Sequence, residues 1–400
     1  MLDVAIVGGG PVGAAAAALI ARAGTLKVAV LEMQAPEPSS ADAPPDLRVV
    51  ALSRASEHIL RGVGAWSSLA RLSPYERMCI WHESVPARSP DVLVFDAADV
   101  GEPNLGYIAE QRVLQRSLLE AFAAAGGEIR RAVLRGLKFT GDAVELATDA
   151  GELSARLVVG ADGAHSAVRS AAGLSVSVSP YAQTAIVATV ATELPHEATA
   201  WQRFMKQGTL AFLPLADGTS SIVWSADEAP AKELLALDER EFARALDRAS
   251  DLALGPTRLT SERRSFPLTR LTAPRYVSER VALLGDAAHV VHPLAGQGVN
   301  LGLLDAAALA QLLGEAVARR EDPGALAVLR AYERWRKSEV ALMAGAIEAF
   351  DRLLAHGSGP VARIAQRGLS LVNRSQELRR LFIRRALGLT GELPRAARAS

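Results

Sequence analysis

An α/β fold, with a Rossmann-like first domain interrupted by a β-rich domain and closed by a helical C-terminal region, is predicted by three features of the chain. The first is a βαβ unit at the N-terminus with glycines in its first turn. The second is a β-like stretch from about 180 to 228, whose runs TAIVATVATEL, TLAFLPL and SSIVWSA favour strands. The third is a change of pattern after residue 284, beyond which the chain reads as helical to about residue 390.

Residues 3–7 (DVAIV) form an apolar run of the kind buried in a parallel sheet. GGGPVG follows at 8–13 and opens an alanine-rich helix that reaches about Ala23. Residues 27–31 read as a second buried strand ending in Glu32, which completes a βαβ unit. Residues 34–46 are rich in Pro, Ser, Ala and Asp and read as a loop; helical patterns follow at 54–72. Residues 76–104 alternate loosely around Pro86, Pro90 and Pro103, which suggests strands and connections. An amphipathic helix is expected over 110–125, with Leu114, Leu118, Leu119 and Phe122 on one face and Gly126-Gly127 as its stop. Asp238 and Glu241 have capping-box spacing, and residues 280–284 read as a further buried strand. The expected division is a discontinuous nucleotide-binding domain (1–75, 105–178, 265–340), a β-rich substrate domain (76–104, 179–264) and a helical region (341–400).

Composition narrows the function. Of 400 residues, 50% are hydrophobic, which is enough apolar side chain to offset the entropy of ordering. Lys+Arg and Asp+Glu both number 44, so the basic excess of a dedicated nucleic-acid binder is missing. The single cysteine, Cys79, excludes an internal disulfide, a cysteine zinc site and an iron–sulfur cluster, and reads as a small buried hydrophobe. Long apolar runs are broken early and Asp3 stands where a basic leader would be, so neither a membrane span nor a signal peptide is expected. The expectation is a cytoplasmic protein with, at most, peripheral membrane contact. For that contact the natural segment is 361–400, where nine arginines against two glutamates give a net charge of +7. A surface helix packing one face is the plainer reading of the same residues.

Three turns carry chemistry. In Gly8-x-Gly10-x-x-Gly13, Gly8 permits the tight turn, Gly10 the approach of a pyrophosphate, and Gly13 close packing of helix on strand. Pro11 and Val12 open that helix, whose N-terminus faces the phosphates. Glu32 is placed to accept the two hydroxyls of an adenosine ribose, which favours FAD or NAD over NADP. Gly160 to Arg169 (GADGAHSAVR) follows a buried strand and carries Asp162. Leu284 to His289 (LGDAAH) follows another and carries Asp286, which could hold a ribityl or ribose hydroxyl. It leads into HPLAGQGVNLGLLD at 292–305, a Gly-rich loop opening a helix whose backbone N–H groups could cradle an electron-rich ring edge.

Together these turns resemble the aromatic-ring hydroxylases of the para-hydroxybenzoate hydroxylase type, and HPLAGQGVNLGLLD resembles the signature of their ubiquinone-biosynthesis branch. The resemblance spans positions 3 to about 340. It implies FAD as cofactor, NADPH or NADH as transient reductant, and ring hydroxylation of a polyprenylated phenol or benzoquinol by O2 through a flavin C4a-hydroperoxide. It places Asp162 in the motif serving FAD and the nicotinamide, and Asp286 on the sugar-like chain of the flavin. Pro293, Gly296, Gln297, Gly298, Val299, Asn300 and Leu301 would lie against the isoalloxazine. Asp46-Leu47-Arg48 with Ala51-Leu52-Ser53 is similar to that branch's stretch near the flavin, and Gln111 matches its polar FAD contact. Other ubiquinone-biosynthesis proteins are implied as partners; nucleic acid is not.

A phenolic ring is already electron-rich, so no protein nucleophile is required, and no triad or carboxylate pair is seen. No catalytic acid or base is assigned. His289 and His292 stand three apart without a third ligand at sensible spacing, so no metal is expected. Trp81, Trp201 and Trp224 read as core, with an apolar substrate pocket as the sharper option. Rival readings are a hydroxylase of soluble aromatics, a prenyl reductase, a halogenase, a nicotinamide-only dehydrogenase and a non-catalytic FAD-binding assembly subunit. The halogenases' Trp-x-Trp pair is missing.

Overall fold

The computed structural model describes residues 1–34, 45–292, 296–354 and 375–399, with side chains at 350–354 outside the description. Five parallel strands form the centre of the first sheet, in the spatial order Val281–Leu283, Gly151–Gly160, Leu2–Val7, Val28–Leu31, Glu128–Arg130. Leu2–Val7 lies in the middle and is almost wholly buried, which is why it reads as a continuous apolar run. The helix Pro11–Arg22 returns the chain to Val28–Leu31. Its buried positions are Gly13, Ala14 to Ala18, Ile20 and Ala21. Small residues let the helices Gln111–Ala124 and Gln297–Ala318 pack closely on it. At Gly302 the approach is so close that a Cβ would stand 2.4 Å from Val12 Cγ2.

The helical pattern at 54–72 resolves into a helix and a 3-10 turn, followed by a strand. Arg54–Val63 is capped by Ser53, whose Oγ accepts from Ser56 N–H, and stops at Gly64 with φ +82°. A 3-10 turn Trp66–Ser68 follows, and then a strand, Ser73–Tyr75, that pairs with Gly106–Glu110. Val49–Leu52 pairs on the other side of Gly106–Glu110, giving a small three-stranded sheet.

The second large sheet is nine-stranded and mostly antiparallel. It runs His289–Val290, Arg264–Thr272, Ser177–Thr192, Ser220–Asp227, Gly208–Pro214, Thr199–Met205, Arg77–His82, Leu93–Asp96, with Thr257–Leu259 pairing off the path. Arg77–His82 joins it parallel to Thr199–Met205, so segments far apart in sequence share one surface. Arg264–Thr272 pairs with Ser177–Thr192 from Ser177↔Thr272 to Val187↔Arg264. A domain boundary at 264/265 would cut that strand from its sheet; hydrogen bonding keeps it with the β-rich part. The capping box at Asp238 and Glu241 forms as expected. The helix before it, Glu228–Ala236, carries Pro230 in its first turn, where the missing N–H costs nothing.

After the short strand His289–Val290 the described residues are mainly helical, in Gln297–Ala318, Leu326–Leu354 and Gln376–Ala386. Gln297–Ala318 is long and apolar enough to cross a membrane, contrary to the expectation that every apolar run is broken. It is a core helix: 61% of its most apolar window is buried in the protein, with Asp305 ion-paired at its centre.

Candidate functional site

The three turns meet at the carboxyl ends of the parallel strands, the edge where open α/β sheets bind ligands. Gly8 has φ +99°, and a Cβ there would stand 2.5 Å from Ala161 O, so this turn is locked against the second one. A Cβ on Gly13 would stand 2.0 Å from Gly8 O, which is the close packing expected of that position. At Gly10 a Cβ would meet nothing within 4 Å; Gly10 lines a cavity of about 730 Å³. Gly9, given no role by the sequence reading, is as constrained: a Cβ would sit 2.9 Å from Glu32 Cβ. Its N–H donates to Glu32 Oε2 at 2.7 Å, and Gln34 N–H donates to Oε1 at 2.9 Å. The carboxylate is thereby fixed on the cavity wall with acceptor capacity to spare. Gln115 Nε2 supports the turn by donating to Gly9 O at 3.0 Å.

Asp162 Oδ2 accepts from Ala167 N–H (2.6 Å) and Val168 N–H (3.1 Å), opening the short helix Ala167–Ala171. Its Oδ1 is buried with no hydrogen-bond partner among the described residues. Arg169, 6% exposed, donates to Ala164 O at 2.8 Å and to Ala287 O at 2.9 Å. It ties the second turn to the third, a role without a signal in spacing alone.

The third turn rests on a buried ion cluster. Asp305 is fully buried; its Oδ2 bonds His289 Nε2 at 2.6 Å and accepts from Gly285 N–H at 3.1 Å, and its Oδ1 accepts from Arg336 Nε at 2.7 Å. Burial alone would raise this carboxyl, but His289 and Arg336 together hold it below its ordinary range. Arg336, at 1% exposure, comes from the helix Leu326–Leu354. Asp286 faces the cavity itself. The protein around it pushes its pKa up, while His289 and Arg48 pull the other way. His289 packs on Tyr276, and His292 meets Tyr181 edge-on at 4.7 Å.

Among the expected flavin-loop residues, Gly296, Gln297, Gly298 and Val299 line a cavity. Asn300 and Leu301 are both 3% exposed and line neither cavity. Asn300 points its amide into the protein instead. Its Oδ1 accepts from Ser53 N–H (3.0 Å) and Ser56 Oγ (2.7 Å), and its Nδ2 donates to Ala51 O at 2.8 Å. Asn300→Ala should leave these buried groups unpaired at about 1–3 kcal/mol each. A lowered urea midpoint is the expected result, and an unchanged one would refute the bracing role. Pro293 lies outside the described residues.

A second cavity, of about 410 Å³, opens on the same wall: Val49, Gln111, Asp286 and Gly296 line both. Arg48 joins its lining, brought beside Gln111 by the bond from Gln111 N–H to Arg48 O at 2.9 Å. Its floor is the nine-stranded sheet, with Trp201 and Phe266 among its residues. Trp81 and Trp224 do not line it; Trp81 packs with buried Cys79, and Trp224 against Phe242. A dinucleotide laid along the first cavity with its ring end at the second is the arrangement of a flavoprotein oxidoreductase.

The comparisons agree. Residues 1–344 match the family described as FAD binding domain. The chain is 37% identical to the 3-demethoxyubiquinol 3-hydroxylase of Escherichia coli, over 97% of this chain and 98% of that one. It is 38% identical to the ubiquinone hydroxylase UbiL of Rhodospirillum rubrum, over 99% and 92%. Among solved structures, p-nitrophenol 4-monooxygenase PnpA from Pseudomonas putida superposes with TM-score 0.78 at 21% identity, covering 98% of this chain and 99% of that one. The chain belongs to the FAD-dependent aromatic-ring monooxygenases, in the ubiquinone-biosynthesis hydroxylase family. FAD is its cofactor.

Proposed function

We propose that this enzyme hydroxylates the ring of a polyprenylated phenol or benzoquinol in ubiquinone biosynthesis, with O2 as oxidant. The observation that supports it is the second cavity, largely apolar and joined to the first through Asp286 and Gln111. The residues present fit FAD: Gly10 leaves a bare face on the cavity, and Asp162 keeps a buried oxygen unpartnered. Gly8, Gly10, Pro11, Val12 and Gly13 would hold the pyrophosphate, Glu32 the adenosine ribose, and Asp286 the ribityl chain. Arg48, Gln111 and the backbone of Gly296 to Val299 would hold the ring, with Asp162 between the flavin and nicotinamide sites. Asn300 and Leu301 would brace that backbone from behind. Bound FAD would supply the redox chemistry, as hydride acceptor and as the group that activates O2. The chain's own work is to orient the substrate ring and to exclude water with Trp201, Phe266 and Leu213. We would divide the chain as the sequence suggests, with Arg264–Thr272 moved to the substrate domain.

The test is a deletion strain profiled for quinone intermediates, beside purified yellow holoenzyme assayed for NADPH oxidation. Accumulation of a prenylated ring lacking one hydroxyl, and oxidation stimulated by a prenylated phenol, are expected. Retained FAD with no oxidation on any phenol would leave an assembly subunit instead.

A lipid substrate implies a membrane source, and peripheral contact through the arginine-rich C-terminal helix is part of this proposal. In Gln376–Ala386, Leu381 is 60% exposed beside the exposed Arg384. Leu381→Glu with Arg384→Glu should weaken sedimentation with phosphatidylserine vesicles by about tenfold. Unchanged partition would remove this contact.

A further inference from the structure

The second cavity has a direction, and the segment that closes one end of it lies beyond the matched family region, which stops at residue 344. Cross-strand pairing arranges the floor in rows. Phe95 pairs with Met78 and Met78 with Ala200, and Leu213 pairs with Ser221; Ala200 and Leu213 both stand one step outside the Trp201–Phe212 pair, which makes the first row. Gln202, Ala211 and Val223 make the second, and Thr209 faces Ser225 in the third. The third row lies on the side of His292, where the flavin loop begins. Two positions beyond Ser225, Asp227 Oδ1 accepts from Gln183 Nε2 at 3.2 Å, and Gln183 Oε1 lies 3.3 Å from His292 Nε2. The first row is next to the C-terminal helix Gln376–Ala386: Ile383 and Leu387 share an apolar cluster with Met78 and Phe95. Ile383, Leu387 and Phe382 all line the cavity, and Phe382 is still 47% exposed, so it stands at the rim. Thr209, Ser225 and Gln202 are nearly buried polar side chains on this floor, while the first row has Ser221 alone.

The geometry points to an oriented, two-ended site: Thr209 and Ser225 take the ring's oxygen substituents at the flavin end, and the C-terminal helix, with Phe382 at the rim, is the wall that selects the apolar tail. From the first row to the third is four residues of strand, about 13 Å, so a substituted ring at one end leaves length for chain at the other. The helix is held in place independently of any ligand. Arg385 pairs with Glu339 at 3.1 Å, Arg379 with Asp99 at 3.3 Å, and Ala55 N–H donates to Leu387 O at 3.2 Å. This inference rests on the reading of the enzyme as a hydroxylase of prenylated rings and adds which residues read the tail.

The test uses full-length holoenzyme and two probes, 2-farnesylphenol and 2-methylphenol, followed by NADPH oxidation and by perturbation of the flavin spectrum. Phe382→Asp should raise KM for 2-farnesylphenol by about tenfold, the effect of losing two methylene burials, with kcat and the KM for 2-methylphenol unchanged. Phe382→Leu should restore the farnesyl KM. Thr209→Val should weaken both probes by the same factor. Equal effects of Phe382→Asp on the two probes, or no effect on either, would overturn the assignment of the tail wall. A wild-type enzyme that neither binds nor oxidises any phenol would instead remove the underlying hydroxylase reading, and this inference with it.

Discussion

Asp305→Ala is expected to lower stability by about 3–5 kcal/mol, the largest effect of any single substitution proposed here, because it strands a buried guanidinium. Arg336 is 1% exposed and its Nε bonds Asp305 Oδ1 at 2.7 Å. A loss of this size is a large share of the 5–15 kcal/mol typical of folded proteins. Gly285 N–H and His289 lose their acceptor in the same change, so FAD content should fall along with the urea midpoint. The carboxyl also sets a pH limit. Its folded pKa lies below the ordinary value, so its contribution is complete above the ordinary carboxylate range and is lost as pH falls through the folded pKa. In the variant, the acid limb of the stability profile should be shallower. A variant with wild-type midpoint and an unchanged acid limb would show that the cluster is dispensable.

Gly10→Val is expected to give the opposite separation, a folded protein that does not hold FAD. The backbone at Gly10 has φ −61° and ψ 175°, which valine adopts without strain, and a Cβ there meets no protein atom within 4 Å. The added side chain would occupy only the space given to the pyrophosphate. Affinity for FAD should fall by about tenfold or more while the unfolding midpoint of the apoprotein stays where it was. Full flavin content in Gly10→Val would displace the pyrophosphate from this turn. Gly8→Val is the control: at φ +99° and 2.5 Å from Ala161 O, it should damage the fold itself.

How much of this was legible depended on whether a residue's task is local. Gly8, Gly13 and Glu32 could be read because a strand, a turn and a helix in sequence fix their surroundings within thirty-odd residues. The polar third row of the floor could not, since Thr209 and Ser225 acquire meaning only from register across strands. The same holds for Arg169 and Arg336, whose carbonyl and carboxylate partners are 118 and 31 positions away. Asn300 could be named only as part of its loop: a Gly-rich stretch shows that backbone is presented, and does not show that this amide turns inward to Ser53, Ser56 and Ala51. The apolar helix Gln297–Ala318 had a signal that could have found its cluster, an aspartate alone among leucines and alanines, since such a charge stays buried only with a counter-ion.

The four residues common to both cavities, Val49, Gln111, Asp286 and Gly296, set a rule for redesign. A substitution at any of them would retune the coenzyme while it retunes the substrate, so laboratory or natural evolution of new acceptors is channelled elsewhere. The open routes are the sheet floor and the last helix, which touch only one of the two compartments.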